Sequence, residues 1–179
     1  MLKSKARNSK QIQMTNTQIS KVRSLIGFFV SLGITFTAAA VGGWASANAP
    51  GFYALLNKPS WAPPAAVFGP VWTLLYLFMA VAAWLVWREG RGRDTRPALS
   101  VYLVQLAMNA LWTWIFFTWR QGGWALAEII TLWVMIFLTI IAFYRIRPLA
   151  GFLLLPYLAW VSFAAGLNAG LWRMNPGLL

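Results

Sequence analysis

Lys58-Pro59-Ser60-Trp61-Ala62-Pro63-Pro64, continued by Val67-Phe68-Gly69-Pro70-Val71-Trp72-Thr73-Leu74-Leu75-Tyr76, is the stretch that decides the fold. It starts as a polar turn and becomes an apolar run without a break. Four prolines and two tryptophans fall between Lys58 and Trp72. Lys58 is held out of the helical region because a proline follows it. Ser60 is the expected helix cap, with Pro63 and Pro64 in the first turn, where a missing N–H costs nothing. Pro70 then falls inside the helix, where it frees the Ala66 carbonyl and is expected to bend the axis. A bent, aromatic-rich helix start below an apolar loop reads as the wall and lid of a binding cavity.

Outward from this stretch, the 179 residues are 60% hydrophobic and only 10% charged, against roughly 25% charged in soluble domains. The chain is therefore a polytopic membrane protein. Five apolar runs lie near the ~20 residues that span a bilayer: about Leu25–Trp44, Val67–Trp87, Ala98–Thr118, Gly123–Tyr144 and Leu149–Trp172. The expected fold is all-α, a five-transmembrane-helix bundle with a lid loop between helices 1 and 2. Residues 1–23 form a basic tail, expected to be disordered near an anionic membrane surface, and residues 24–176 form the membrane domain. Basic leader, apolar core and Ala45-Ser46-Ala47 together look like a signal peptide, but the leader is long and the run nearly spans, so an uncleaved first helix is expected.

The charge of +12 is explained by topology and not by nucleic acid. Lys3, Lys5, Arg7, Lys10, Lys21 and Arg23, then Arg88, Arg91, Arg93 and Arg96, then Arg145 and Arg147 fall on one side; Lys58, Arg120 and Arg173 fall on the other. In a bacterial inner membrane this puts the N-terminus in the cytoplasm. The short connections at 119–122 and 145–148 make consecutive helices antiparallel neighbours. The 47–62 loop is too apolar, with Phe52, Tyr53, Leu55 and Leu56, to stay in water, and is expected to fold back on the bundle.

Function classes fall away quickly. With no Cys and no His, thiol nucleophiles, His-based triads, zinc sites and His- or Cys-ligated haem are excluded. The acids number three, Glu89, Asp94 and Glu128, so paired-carboxylate chemistry and metal sites are excluded too, and no catalytic constellation or obligatory cofactor remains. Glu128 lies inside the fourth run, where a carboxylate is structural or carries a proton or cation. Twelve tryptophans exceed what packing needs. Those near helix ends, Trp61 excepted, read as an interfacial belt. Trp72, Trp112, Trp114, Trp133 and Trp160 lie deeper and either line a cavity or pack between helices. Helical spacing puts Trp72, Tyr76 and Met79 on one face of helix 2; Asn109, Trp112 and Phe116 on one face of helix 3; and Trp160, Ala164, Leu167 and Asn168 on one face of helix 5. Rings with a few fixed polar atoms suit a large, flat, apolar ligand, although hydrogen-bonded Asn also glues helices together. Small-residue steps at Ala38/Gly42, Ala39/Gly43 and Gly166/Gly170 are dimer faces or contacts within the bundle.

Three motifs in order carry a resemblance: Lys58-Pro-Ser-Trp-Ala-Pro-Pro64 with Val71-Trp-Thr-Leu-Leu-Tyr76; Asn109-Ala-Leu-Trp-Thr-Trp-Ile-Phe-Phe117; and Pro156-Tyr-Leu-Ala-Trp160 with Phe163-Ala164 and Leu167-Asn168. Over about residues 25–176 the chain resembles the TspO/MBR family of tryptophan-rich sensory and translocator proteins, which includes the peripheral-type benzodiazepine receptor. The resemblance implies a homodimeric five-helix bundle with a lidded cavity for porphyrins such as protoporphyrin IX, for sterols and for synthetic isoquinoline carboxamide and benzodiazepine-type ligands. It places ligand contacts on Trp72, Trp160, Asn109 and Ala164. It also implies light-dependent porphyrin breakdown at Trp72 and Trp160, the only enzymatic reading left. The sterol motif of animal members has a Tyr that Leu167-Asn168-Ala169-Gly170-Leu171-Trp172-Arg173 lacks; Leu138, Tyr144 and Arg147 meet only a loose sterol pattern. The expected ligand site is Trp72, Tyr76, Asn109, Trp112, Phe116, Trp160, Ala164, Leu167 and Asn168, under a lid carrying Tyr53, Lys58, Trp61, Pro63 and Pro64. Expected partners are a porphyrin or another apolar small molecule, membrane lipid or sterol, and a second copy of the chain. A receptor or sensor of tetrapyrroles fits best. Transport is the alternative, against which stands the absence of an internal duplication for alternating access.

Overall fold

The computed structural model describes the backbone of residues 2–90 and 92–179, and side chains from Thr17 onward except Arg91. Helix α1 covers Leu2–Ala45, α2 Ala49–Leu55, α3 Phe68–Glu89, α4 Arg96–Thr113, α5 Gly122–Ile146, α6 Pro148–Leu153 and α7 Leu155–Met174. Among the described residues, five helical segments are long and apolar enough to cross a membrane: Thr17–Ala45, Ala65–Glu89, Arg96–Thr118, Gly122–Ile146 and Pro148–Met174. The protein is an integral, multi-pass, all-helical membrane protein. Regular helix is the required solution, because in hydrocarbon every backbone N–H and C=O must be satisfied within the chain.

Four features differ from the sequence expectations. Helical backbone continues through 2–23, where charge alone suggested disorder; the side chains of the tail up to residue 16, and Arg91, lie outside the described residues. Helix α3 begins later than expected. Pro64 ends an extended segment, a 3₁₀ turn spans Ala65–Val67, and α3 starts at Phe68 with no side-chain cap. Ser60 is therefore not the cap, and Pro63 and Pro64 precede the helix instead of opening it. Pro70 moves into the first turn of α3, where the donor it lacks has no intrahelical partner, so the expected loss at Ala66 does not arise. The third span ends in a π-helical turn, Trp114–Thr118, with the Trp119 N–H donating to the Trp114 carbonyl at 2.9 Å. The fifth span is broken at Leu154. Pro156 cannot donate to the Phe152 carbonyl, and the chain turns before resuming as α7.

The basic end of the bundle is tied by short polar contacts. Arg147 pairs with Glu89 at 2.7 Å, Arg93 donates to the Arg145 carbonyl at 3.2 Å, and the Trp84 indole donates to the Ser24 carbonyl at 2.9 Å. Next to this end the bundle is solid: Met79, Val86, Leu132, Ile136 and Phe143 are all at most 2% exposed. The 47–62 connection does fold back on the bundle. Phe52, Tyr53 and Leu56 are buried with Phe116, Ala125, Leu167 and Leu171 in a second cluster at the opposite end.

Candidate functional site

Between these two packed regions the helices enclose a cavity of about 470 Å³, within the ~300–1,000 Å³ range of small-molecule sites. Trp72, Tyr76, Asn109, Trp112, Phe116, Trp160, Ala164, Leu167 and Asn168 all line it. The three faces read from helical spacing thus meet on one space. Of the deep tryptophans left open by spacing, Trp72, Trp112 and Trp160 are cavity rings. Trp114 instead meets Trp44 edge-on, and Trp133 stacks on Phe137 and donates to the Ser162 hydroxyl at 2.8 Å. Met79, read on the Trp72 face, is a core residue below the cavity.

The rings are arranged as plates and edges. Trp72 and Tyr76 lie 5.5 Å apart at 33°, while Trp112 stacks on Phe116 at 5.2 Å and 16°. The π turn bears on this second pair: widening the turn after Thr113 accommodates three consecutive bulky residues, Ile115, Phe116 and Phe117. Phe68 stands edge-on to Trp160 at 5.8 Å. The quadrupoles of such rings favour offset and edge contacts, which hold the walls to one another.

The polar atoms on the wall are mostly engaged with one another. The Tyr76 hydroxyl donates to Asn109 Oδ1 at 2.5 Å, Asn109 Nδ2 donates to the Tyr157 hydroxyl at 2.9 Å, and that hydroxyl donates to Gln105 Oε1 at 3.0 Å. The Trp112 indole donates to Asn168 Oδ1 at 3.3 Å, and Asn168 Nδ2 to the Gly122 carbonyl at 3.0 Å. Asn109 and Asn168 are thus members of internal networks, the helix-gluing role that spacing left open. Among the fully buried polar atoms of the wall the exception is Trp160, whose indole N–H has no partner among the described residues. A guest with one acceptor opposite Trp160 would satisfy it.

Sequence reasoning missed one wall. Ala39, Gly42 and Gly43 of α1 and Ser46 just after it line the cavity together with Ala65, Ala66 and Gly69. Gly42 also lies close to α4, since a Cβ there would be 3.0 Å from Thr113 Oγ1, whereas Gly43 has nothing within 4 Å. The signal was present as the small-residue step, which distinguishes neither contact from void. Likewise Gly166 faces open space, while Gly170 accommodates Pro59 at 3.0 Å.

The lid is organised differently from a set of ligand contacts. Of the residues assigned to it, Tyr53 reaches the cavity and its hydroxyl donates to the Pro63 carbonyl at 3.0 Å; burial pushes the Tyr53 phenol pKa up from the usual range. Lys58 Nζ donates to the carbonyls of Tyr53 at 2.9 Å and Leu56 at 2.8 Å, so it caps the C-terminal end of α2. Trp61 packs edge-on against Phe163 at 5.7 Å, outside the cavity lining. Pro63 and Pro64 form the extended strap between lid and α3. Two further ties were not legible. The Asn57 N–H donates to Asn175 Oδ1 at 2.8 Å while Asn175 Nδ2 donates back to the Asn57 carbonyl at 2.9 Å. Arg120, in the left-handed backbone region with φ 54°, lays its guanidinium 4.9 Å from the Phe52 ring. Glu128 does not line the cavity, and neither of its buried carboxyl oxygens has a partner among the described residues.

The comparisons agree with this architecture. A sequence profile of the TspO/MBR family matches residues 29–173. The chain is 45% identical over 128 residues to the translocator protein of Homo sapiens, covering 70% of this chain and 76% of that one. It is 36% identical over 165 residues to the tryptophan-rich protein TspO of Chlorobaculum tepidum, covering 90% and 99%. It is 42% identical over 125 residues to the tryptophan-rich sensory protein of Cereibacter sphaeroides, covering 69% and 77%.

Proposed function

Because this chain belongs to the TspO/MBR family, we propose that it is a membrane receptor or sensor that binds a porphyrin in the cavity beneath the lid, and so regulates tetrapyrrole metabolism or a stress response. One observation carries the reading: three tryptophans, Tyr76 and Phe116 converge on a single space whose two asparagines are already hydrogen-bonded within the protein. Such a wall offers stacking over a broad apolar surface and asks for little hydrogen bonding in return. That favours a flat macrocycle over a polar metabolite. With no His or Cys in the chain, the tetrapyrrole is held by shape and stacking, as a free-base porphyrin such as protoporphyrin IX, or as a haem without those axial ligands. The lid then excludes water, which strengthens every contact inside. Sterol is a weaker candidate, since the fifth span lacks the Tyr of the sterol motif.

The test is a titration of purified protein with protoporphyrin IX, followed by tryptophan quenching in the dark and under illumination. Trp72→Ala with Trp160→Ala together should weaken binding by at least about a hundredfold, on the order of 3 kcal/mol for two stacking faces. Undiminished affinity in the double variant sinks the pocket assignment. Loss of porphyrin absorbance that needs both light and intact Trp160 would add the photochemical role. We read the chain as a homodimer and, in a bacterial inner membrane, as having a cytoplasmic N-terminus. The supports are the exposed, unfilled faces at Gly33 and Gly166 and the Lys/Arg asymmetry. Light scattering of the purified protein and sidedness labelling of single introduced cysteines decide these two points.

A further inference from the structure

A second concavity lies on the outside of the bundle, where α1, the C-terminal half of α3 and the first turns of α4 enclose a groove of about 550 Å³. It exists because residue 27 is glycine: a Cβ there would overlap the Trp87 indole, so the ring lies directly against the α1 backbone. Its hydroxyls are spent on the fold. The Ser31 hydroxyl donates to the Ala80 carbonyl at 2.6 Å, and the Thr35 and Tyr102 hydroxyls pair at 2.7 Å. What remains is aliphatic and open. Ile26, Val30, Ile34 and Leu103 are 59%, 54%, 46% and 47% exposed, on segments that cross the membrane, so their exposed surface meets hydrocarbon.

The groove has one cationic end. Among the described residues Arg23 is the one charged residue lining it, with its guanidinium 5.7 Å from the Trp87 ring. Arg88 sits nearby, 4.8 Å from the Trp84 ring, whose indole bonds Ser24. The acids of this end are committed elsewhere: Glu89 holds Arg147 at 2.7 Å, and Asp94 accepts the Arg96 N–H at 3.1 Å. From Arg23 to Ile34 is about 16 Å along a helix rising ~1.5 Å per residue, close to half of the ~30 Å hydrocarbon core. The groove is therefore one leaflet deep, with a cation at the headgroup level and its hydroxyls paired within the fold.

We propose that this groove is a binding site for a single anionic membrane phospholipid, with an acyl chain along α1 from Ile26 to Ile34 and the phosphate on Arg23 and Arg88. A flexible chain fits an aliphatic trough in a way that a rigid ring system does not. An arginine whose fork is free of carboxylates supplies the paired donors that a phosphodiester accepts. The basic end of the bundle is also the end that faces an anionic leaflet under the charge asymmetry. The site is separate from the cavity and shares no lining residue with it.

The experiment uses the full chain, delipidated in mild detergent and exchanged into vesicles of dioleoyl phosphatidylglycerol or of dioleoyl phosphatidylcholine. Native mass spectrometry then counts the lipid retained. One phosphatidylglycerol per chain should persist, with at least about a tenfold preference over phosphatidylcholine. Arg23→Gln should remove the preference while leaving residual lipid of either kind; Val30→Trp, which fills the groove, should remove retained lipid of both kinds. Circular dichroism and size-exclusion profiles identical to those of the parent chain establish that both variants fold. Equal retention of the two lipids, or unchanged retention in both variants, overturns the proposal. So does displacement of the lipid by millimolar inorganic phosphate, which would make Arg23 a plain anion site. If Val30→Trp abolishes dimers in light scattering but not lipid retention, the face is a protein interface and the proposal also fails.

Discussion

The two halves of the bundle are built from the same helices yet differ in kind. Toward the basic end, Met79, Val86, Leu132, Ile136 and Phe143 fill the space between helices to closure. Toward the lid, the corresponding positions carry Ala39, Gly43, Gly69 and Ala164, and a cavity opens among the rings. In lipid, helices are held together by packing and not by expulsion of water. The filled half must therefore carry most of the stability, and the hollow half can be spared for a guest. Side-chain size on two or three helices, not any break in helical pattern, separates scaffold from site.

The largest expected effect breaks the filled half. Phe143→Ala leaves a void in a close-packed region and should cost on the order of 3 kcal/mol, read as a lowered unfolding midpoint in detergent. Porphyrin affinity of the folded fraction should be unchanged; a parallel loss of affinity would show that the halves are not separable. Next, Ala164→Phe fills the hollow half. It should weaken protoporphyrin IX by about tenfold or more, ~1.4 kcal/mol, while moving stability by less than about 1 kcal/mol because the added ring enters space instead of atoms. Unchanged binding would place the guest elsewhere.

A smaller effect is expected at the lid. Asn175→Ala removes the reciprocal bonds to Asn57 and should speed porphyrin dissociation about five- to tenfold, with little change in association. Equal changes in both rates would mean the clasp only supports the C-terminus. The smallest effect concerns pH. Burial raises the Tyr53 phenol, so the folded state favours its neutral form, the form that donates to the Pro63 carbonyl. Its contribution is fully present below the ordinary tyrosine value of ~10 and is lost as pH rises through the higher folded value. Porphyrin off-rates should stay flat up to pH 10, and Tyr53→Phe should remove any rise above it.

Periodicity made the fold and much of the wall legible. Asn109, Trp112 and Phe116 recur at helical spacing, and so do Trp160, Ala164, Leu167 and Asn168; residues on one helix face point one way whatever they meet. What they meet was not legible. Gly42 and Gly43 are adjacent and identical in sequence, but one approaches Thr113 and the other borders empty space. Asn109 reads equally as a ligand contact or as glue until Tyr76 and Tyr157 are seen on its two polar atoms. Pro63, Pro64 and Pro70 announce a helix start without fixing its residue, because each is tolerated both just before a helix and in its first turn. The π turn carries no composition signal at all: Trp114–Thr118 reads as ordinary apolar helix.

The break at Leu154 divides labour within one membrane crossing. The piece before it, α6, packs on α3 and α5 at the solid end, and the piece after it, α7, carries Trp160 and Ala164 to the cavity. An unbroken rod would move as one, so any tilt caused by a guest would be felt at the basic loops. With Pro156 interrupting the hydrogen-bond ladder, the cavity segment can swing as a separate lever. Backbone amides of α7 should then exchange with deuterium at rates that depend on ligand, while those of α6 keep time with the scaffold.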